Sequence, residues 1–574
     1  MIQHTDLIFA PALLPLIGAA AAFCAKSLRG KTSRYLEIAA GCTGLVLPFF
    51  ALFLLYKSTL YGAVYKGVIG NWYNDVGISY RFDGISWLIN FLGFIIALPA
   101  WIYAQSEKDT KTFTPLFLIQ TAAVGAMAMC ADIFNLFVCL EIMGIASYIL
   151  VASSAKPGAF LASFSYLMIS ASAMVFFLFG VYGFYRLTGS LSYDSIALGL
   201  SLLPDNGGHA AVISLALITG AVVIRVAVMP LYGWLPDAHA LAPHAVSAVL
   251  SGVLIKTPLF ALSRVVDILP SGRAAGELMG YAGAVTAFLA AVISLSQSDV
   301  KRLLAYSSIS HIGYIVCAWG AAVHAGTHTP EGRILMSAAF GHAVFHAAFK
   351  GLLFLSVGIT ADRTGNRDIT ALRGAVKFLY RNGEKIPVTF PAFCIGFFSI
   401  CALPPFNGFL SKSSISLLLA GNWQNVFLIA AGVVTIAAFI RLARIYFPDK
   451  NVPSPTYTPL ASSTSGSVYI SQIFLSLICL CSGLFGPFLL HTFSRILSGG
   501  LREWPFSARS FYTIPGIIKI IFYSAAGFGL YTLSNTHSVN RVLYLIKERP
   551  RSFDGLFTAF GLGLAATAAW MLFR

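Results

Sequence analysis

Charge is what this sequence has least of. Only 10% of its 574 residues are Asp, Glu, Lys or Arg and 57% are hydrophobic, whereas a soluble domain carries roughly 25% charge. That scarcity excludes an ordinary soluble domain. Long hydrophilic stretches are missing too: the two longest, near 362–385 and 449–467, have the length of loops and not of domains. The nine cysteines sit almost wholly in apolar runs, Cys479 and Cys481 are the only close pair, and no zinc or iron–sulfur spacing occurs. They read as small apolar filler. No glycine-rich nucleotide loop follows a strand, and there is no nucleophile elbow. The chain thus shows no active site of its own, no cofactor site and no metal site.

What is present is apolar and periodic. Runs of about 20 residues, each long enough to cross a bilayer, recur from end to end. Sixteen spans are expected, near 6–26, 36–56, 83–105, 112–130, 132–153, 161–185, 211–234, 243–266, 276–296, 301–321, 334–360, 387–416, 425–447, 468–493, 511–533 and 553–573. The fold class is an all-α polytopic membrane protein embedded in the lipid bilayer. Met1–Asp6 holds no Lys or Arg and so no basic n-region, and the first run is expected to be a retained span and not a cleaved signal peptide. The net charge of +16 invites a nucleic-acid reading, but its distribution argues against one. With the N-terminus outside, 22 of the 38 Lys and Arg fall in inner loops, 12 fall outside, and four lie within spans. Such an inner excess is the signature of orientation in a cytoplasmic (inner) membrane.

Those four are Arg225, Lys256, Lys350 and Lys412, and Glu141 is the one acid placed well inside a span. A lone carboxylate at membrane depth is either protonated or met by a cation. Arg225 and Lys256 are the candidates. Desolvation can strip a lysine of its proton, whereas an arginine keeps its charge and can only pair or repel. In Gly341-His-Ala-Val-Phe-His-Ala-Ala-Phe-Lys350, His342, His346 and Lys350 fall at i, i+4 and i+8. On a helix these stack on one face, about 6 Å apart per step. One buried histidine needs no more than a neighbouring helix to bond to. Three protonatable groups in register suit a proton relay. Two spans look broken: Pro230 interrupts the seventh and Pro404-Pro405 the twelfth. The text around them echoes, Pro230-Leu-Tyr-Gly-Trp-Leu against Pro405-Phe-Asn-Gly-Phe-Leu. Paired broken helices suggest internal repeats with the site between them.

Several segments, in order, resemble a known family. They are Leu136–Glu141, Pro230–His239, Ala242–Leu250, Asp299–Ser308 and His342–Leu353. The chain resembles the antiporter-like subunits shared by Mrp-type cation/proton antiporters, membrane-bound hydrogenases and respiratory complex I. The fragment from Gly70-Asn-Trp72 through Ile78 to Asp83 looks most like the Mrp D subunit. The resemblance implies a fourteen-helix fold with two inverted five-helix repeats, broken at helices 7 and 12, to which this chain adds about two C-terminal helices. The expected units are helices 1–3 in 1–110, the repeats in 111–266 and 270–447, and the remaining helices in 448–574. It implies that Glu141 is the carboxylate of the fifth helix and that Lys256 is a central channel lysine. It likewise implies that His342, His346 and Lys350 form the relay, with Lys412 on the exit side. Arg225 departs from the pattern, where a lysine is expected. A Glu–Lys pair resets by proton loss and a Glu–Arg pair cannot. Glu141–Arg225 would then be an electrostatic switch, or else a structural pair in an inactive half-channel.

The resemblance implies a proton-translocating subunit, partnered by other membrane subunits, in a redox-driven pump or an Mrp-type assembly, moving protons with sodium left open. Two rivals remain. A stand-alone sodium/proton antiporter would need a cation site rich in carboxylates or carbonyls, and one embedded acid is thin support. A silent membrane scaffold would not need a file of embedded cations.

Overall fold

The computed structural model describes residues 7–28, 30–69, 77–106, 110–154, 156–381, 384, 386–449, 465–501, 503–547 and 553–573. Residues 70–76 of the fragment that looks like the Mrp D subunit lie outside these. With backbone groups obliged to bond internally in lipid, the chain is built almost entirely of helices. In chain order they are α1 (Ala10–Ala25), α2 (Lys31–Leu60), α3 (Gly84–Ala104), α4 (Thr110–Met127), α5 (Ile133–Ala152), α6 (Ala159–Thr188), α7 (Tyr193–Ser201) and α8 (Gly208–Val226). There follow α9 (Trp234–Leu241), α10 (His244–Val249), α11 (Thr257–Val266), α12 (Gly272–Ser296), α13 (Val300–Ala325), α14 (Pro330–Thr364), α15 (Ala375–Arg381), α16 (Thr389–Ile400) and α17 (Asn407–Leu418). The chain ends with α18 (Trp423–Ala443), α19 (Gly466–Leu484), α20 (Gly486–Leu497), α21 (Ile514–Ser534), α22 (His537–Lys547) and α23 (Phe553–Phe573). Among the described residues, eleven helices or helix runs are long and apolar enough to cross a membrane. The one departure from an all-helical chain among the described residues is an antiparallel ribbon, β1 (Tyr65–Val68) on β2 (Ser79–Phe82).

Helix starts follow from local chemistry. Asp83, Asp132 and Asp299 stand in extended backbone just before α3, α5 and α13. Each carboxylate accepts from a first-turn N–H: Ser86 at 3.1 Å, Asn135 at 2.5 Å, and Lys301 and Arg302 at 2.8 and 2.9 Å. Asp132 thereby separates α4 from α5, the tightest junction in the sequence.

The proline breaks are real interruptions. α8 ends at Val226, Ala227 is left-handed at φ 60°, and the chain re-enters helix at Trp234. α16 ends at Ile400, Ala402 is left-handed at φ 57°, and helix resumes at Asn407. In both, the left-handed alanine stands three residues before the second residue of a cis X–Pro bond, Met229–Pro230 or Pro404–Pro405. The expected span 387–416 is therefore two half-helices, and 468–493 likewise divides, at Phe485, into α19 and α20. A further interruption was not expected. Within 243–266 the chain runs from α10 into a π turn at Leu250–Leu254, then past Lys256 into α11. Pro258, which has no N–H for the preceding turn, accounts for the break.

The centre belongs to α14, 35 residues long and almost wholly enclosed. α12 and α13 pack against each other at backbone contact. A Cβ on Gly283 would come within 2.4 Å of the Cys317 nitrogen, and one on Gly313 within 2.3 Å of the Ala287 nitrogen. Only glycine permits that approach. α21 is peripheral, with Ile518, Ile521 and Phe522 exposed.

Candidate functional site: a file of buried bases

Lys256, His342, His346 and Lys350 are all fully buried. Lys256 stands at the gap between the π turn and α11, and its Nζ donates to the Gly252 carbonyl at 3.0 Å. Lys350 Nζ donates to the Leu304 carbonyl on α13 at 2.8 Å and to the Ser307 hydroxyl. Lys412, half-buried on α17, donates to the Ile400 carbonyl at 2.9 Å. That carbonyl belongs to the last residue of α16, where the break ends the helical ladder. Every one of these lysines thus rests on a main-chain carbonyl. A carbonyl accepts a hydrogen from a neutral amine as well as from an ammonium, so it holds the lysine in place without fixing its charge. A carboxylate would fix it.

Between the lysines lies an imidazole cluster that spacing on one helix could not reveal. His342 Nδ1 bonds the Ser411 hydroxyl at 2.9 Å, and its Nε2 meets Nδ1 of His311 on α13 at 3.1 Å. The second bond requires one ring N–H and one bare ring nitrogen, so its direction reverses when a proton passes. The His311 ring also lies 4.8 Å, centroid to centroid, from that of His346. Among the described residues neither nitrogen of His346 has a partner, nor does His311 Nε2. Lys412 Nζ lies 5.3 Å from the Tyr314 ring centre, which is 5.6 Å from those of both His311 and His342, and Lys256 acts electrostatically on His346 at the other end. The groups therefore form one series: Lys256, His346, His311, His342, Lys412. Lys350 flanks it, 5.5 Å from the Phe439 ring centre and 5.9 Å from that of Phe354. A pair of imidazolium charges 5.2 Å apart, the His311–His342 separation, repels by about 3 kcal/mol at an effective dielectric near 20. Two such charges are disfavoured together, so the cluster is suited to holding one added proton at a time.

Glu141 and Arg225 do meet. Arg225 Nη2 donates to Glu141 Oε1 at 2.6 Å, and Nη1 to the Leu140 carbonyl at 2.8 Å. Arg225 is buried, but Glu141 keeps 28% of its side-chain surface exposed, on a helix whose outward residues Ile142, Ile145 and Ile149 are also open. The pair sits at the edge of the molecule, where the break after α8 begins. Trp234 spans that break, donating from Nε1 to the Ile224 carbonyl at 3.0 Å.

A second group escapes a reading of the sequence alone. Lys301, which reads as an inner-loop residue, is fully buried and donates to the Ala242 carbonyl at 2.6 Å. His239 is fully buried, stacked on Phe354, with neither nitrogen bonded to protein, and both Lys301 and Lys350 act on it electrostatically. His244 bonds half-exposed Asp362 at 2.8 Å. Each is legible as a polar residue inside or beside an apolar run; their convergence is not. Glu141 is also not the only embedded acid. Glu37 lies two turns into α2, 4% exposed, accepting from Thr114 at 2.7 Å. No group of three or more His, Cys, Asp or Glu among the described residues is arranged to hold a metal ion.

Comparison with known proteins agrees with this architecture. Residues 130–439 match the family described as NADH:quinone oxidoreductase/Mrp antiporter, transmembrane. The N subunit of the NADH-quinone oxidoreductase of Desulforudis audaxviator is 32% identical, over 79% of this chain and 88% of that one. The D subunit of the Na(+)/H(+) antiporter of Alkalihalophilus pseudofirmus is 28% identical, over 65% and 74%. A chain of an archaeal membrane-bound sulfane sulfur reductase superposes with a TM-score of 0.74 at 25% identity, over 88% of this chain and 98% of that one. A chain of the Mrp complex of Dietzia sp. DQ12-45-1b has the same fold, with a TM-score of 0.74 at 22% identity over the same shares. This multi-pass membrane protein belongs to the NADH:quinone oxidoreductase/Mrp antiporter transmembrane family.

Proposed function

We propose that the chain is a proton-translocating, antiporter-like subunit of a multisubunit complex in the cytoplasmic membrane, with its N-terminus outside. The observation that carries this reading is the enclosed series Lys256–His346–His311–His342–Lys412. Water-connected, such a file passes charge by alternation: a proton on one base repels the proton on the next, so occupancy alternates along it. Asp362 and His244 mark the uptake mouth, because the carboxylate is open to solvent and the imidazole behind it is buried. Lys301 and His239 lead from there to Lys350. Arg225 keeps its charge, so Glu141–Arg225 acts as a switch that opens and closes and carries no proton itself. The partly exposed position of Glu141 lets a neighbouring membrane subunit act on that switch. The two breaks, alike in their left-handed alanine and proline spacing, relate residues 111–266 to 270–447 as inverted repeats. The driving chemistry resides in other chains of the complex.

The test is Lys256→Met in the intact complex, reconstituted in vesicles with a pH-reporting dye. Loss of translocation with assembly unchanged is expected. Normal pumping would remove Lys256 from the path.

A further inference from the structure

The added C-terminal helices close a small, strongly basic pocket against the core of the fold. At the end of α18, Arg441 and Arg444 face Arg373 from the 366–374 loop, and α21 and α22 complete the wall with Tyr531, Ser534 and Asn540. The enclosed volume is about 130 Å³. Main-chain carbonyls and a tyrosine hydroxyl hold the guanidiniums in place. Arg441 donates to the Leu295 carbonyl at the end of α12, Arg373 to the Ile369 and Leu372 carbonyls, and Arg444 to the Tyr531 hydroxyl at 2.8 Å. Asp449 bonds Arg444 at 2.6 Å and stands 3.8 Å from Arg373. Asp368 acts on Arg373 and Arg441 at longer range. Among the described residues two carboxylates thus stand against three arginines, and the lining is basic. Burial first, and Arg444 second, push the Arg373 guanidinium below its ordinary range. An anion in the pocket would offset the repulsion between the guanidiniums.

We propose that this pocket binds a phosphate group, supplied by the headgroup of an anionic phospholipid. Planar guanidiniums with hydroxyl and amide donors around them suit phosphate oxygens, and basic pockets between helices at a membrane face suit anionic headgroups. The surroundings favour lipid as the source. α21 exposes Ile518, Ile521 and Phe522. α22 is amphipathic, exposing Val542, Tyr544 and Leu545 beside Arg541 and burying Leu543, as a helix lying in the interface does. On the same stripe of α21 as Tyr531 and Ser534, further up the helix, Ile517, Ile520 and Ser524 line an apolar cavity of about 490 Å³ with Leu403 and Pro404. Seven residues of helix separate Ser524 from Tyr531, about 10 Å, within reach of an acyl chain.

The experiment uses the complete complex in nanodiscs of phosphatidylcholine with phosphatidylglycerol, the bound lipid being counted by native mass spectrometry. The wild type should retain phosphatidylglycerol, and Arg441→Gln/Arg444→Gln should retain it about tenfold less. Asn540→Asp, at an exposed rim position, adds repulsion without touching the packing and should act in the same direction if the double variant fails to fold. Inorganic phosphate binding to the wild type in lipid-free detergent, with equal retention of phosphatidylglycerol by wild type and variants in nanodiscs, would assign the pocket to free phosphate and overturn the lipid source. Equal retention of phosphatidylglycerol by wild type and Asn540→Asp, with no phosphate binding, would overturn the site.

Discussion

Lys350→Met separates a proton carrier from a structural anchor. Methionine matches the length of the lysine stem and removes the ammonium. The partners left behind are not orphaned. The Ser307 hydroxyl still donates to the Leu304 carbonyl at 2.9 Å, which also accepts from Ser308 at 3.0 Å. Replacing a buried ionic group by apolar atoms of similar volume is neutral or stabilising by about 1–4 kcal/mol. Loss of the cation–π contacts with Phe354 and Phe439 takes back about 0.5–2 kcal/mol. The net expectation is a variant as stable as wild type, or up to about 3 kcal/mol more stable, that no longer translocates protons. Thermal unfolding can be followed with a thiol-reactive dye, because Cys317, Cys401 and Cys479 are buried and report on opening of the core. Translocation is read in vesicles from the same preparation. A variant that loses more than about 2 kcal/mol and still pumps would refute the reasoning and make Lys350 an anchor.

Glu141→Gln leaves Arg225 its Leu140 carbonyl but no charge partner; because Glu141 is partly exposed, the expected cost is about 1–2 kcal/mol, below that of breaking a fully buried pair. The proton-to-turnover ratio should fall, and an unchanged ratio counts against a switch. Gly313→Val drives side-chain atoms into the α12 backbone and should cost about 3 kcal/mol or more, seen as a lower melting temperature and poor yield. At the β1–β2 ribbon, Lys66 bonds Asp194 at 2.9 Å and, as the first cause, holds its carboxyl below the usual range. Its contribution is therefore present above about pH 4 and lost as pH falls through the lower folded value. Both side chains are two-thirds exposed, so Lys66→Ala should cost under about 1 kcal/mol at neutral pH and flatten the acid limb of a stability profile.

Helical class, family and most embedded cations are readable in the chain, because each rests on local pattern: apolar runs, prolines inside them, and bases spaced by four on α14. What escapes depends on neighbours. His311 has no companion one turn away, so nothing in its own helix distinguishes it, and only the packing of α13 on α14 brings it to His342. Lys301 sits at a helix start and reads as a loop cation until α9 and α10 cover it. Glu37 lies near the end of an apolar run and reads as interfacial. The break at Lys256 is hidden because Pro258 stands two residues past the lysine, near the middle of a run whose hydropathy barely changes.

The glycine contact between α12 and α13 has a bearing on motion. Helices that meet backbone to backbone have no side chains to slide on or repack, and so they move together or not at all. His311 is mounted on that pair. Any rearrangement around His311 must then be made by what faces it, and the π turn just before Lys256 is where the opposing wall lacks a regular hydrogen-bond ladder. One wall about the imidazole cluster is locked, and the other is interrupted.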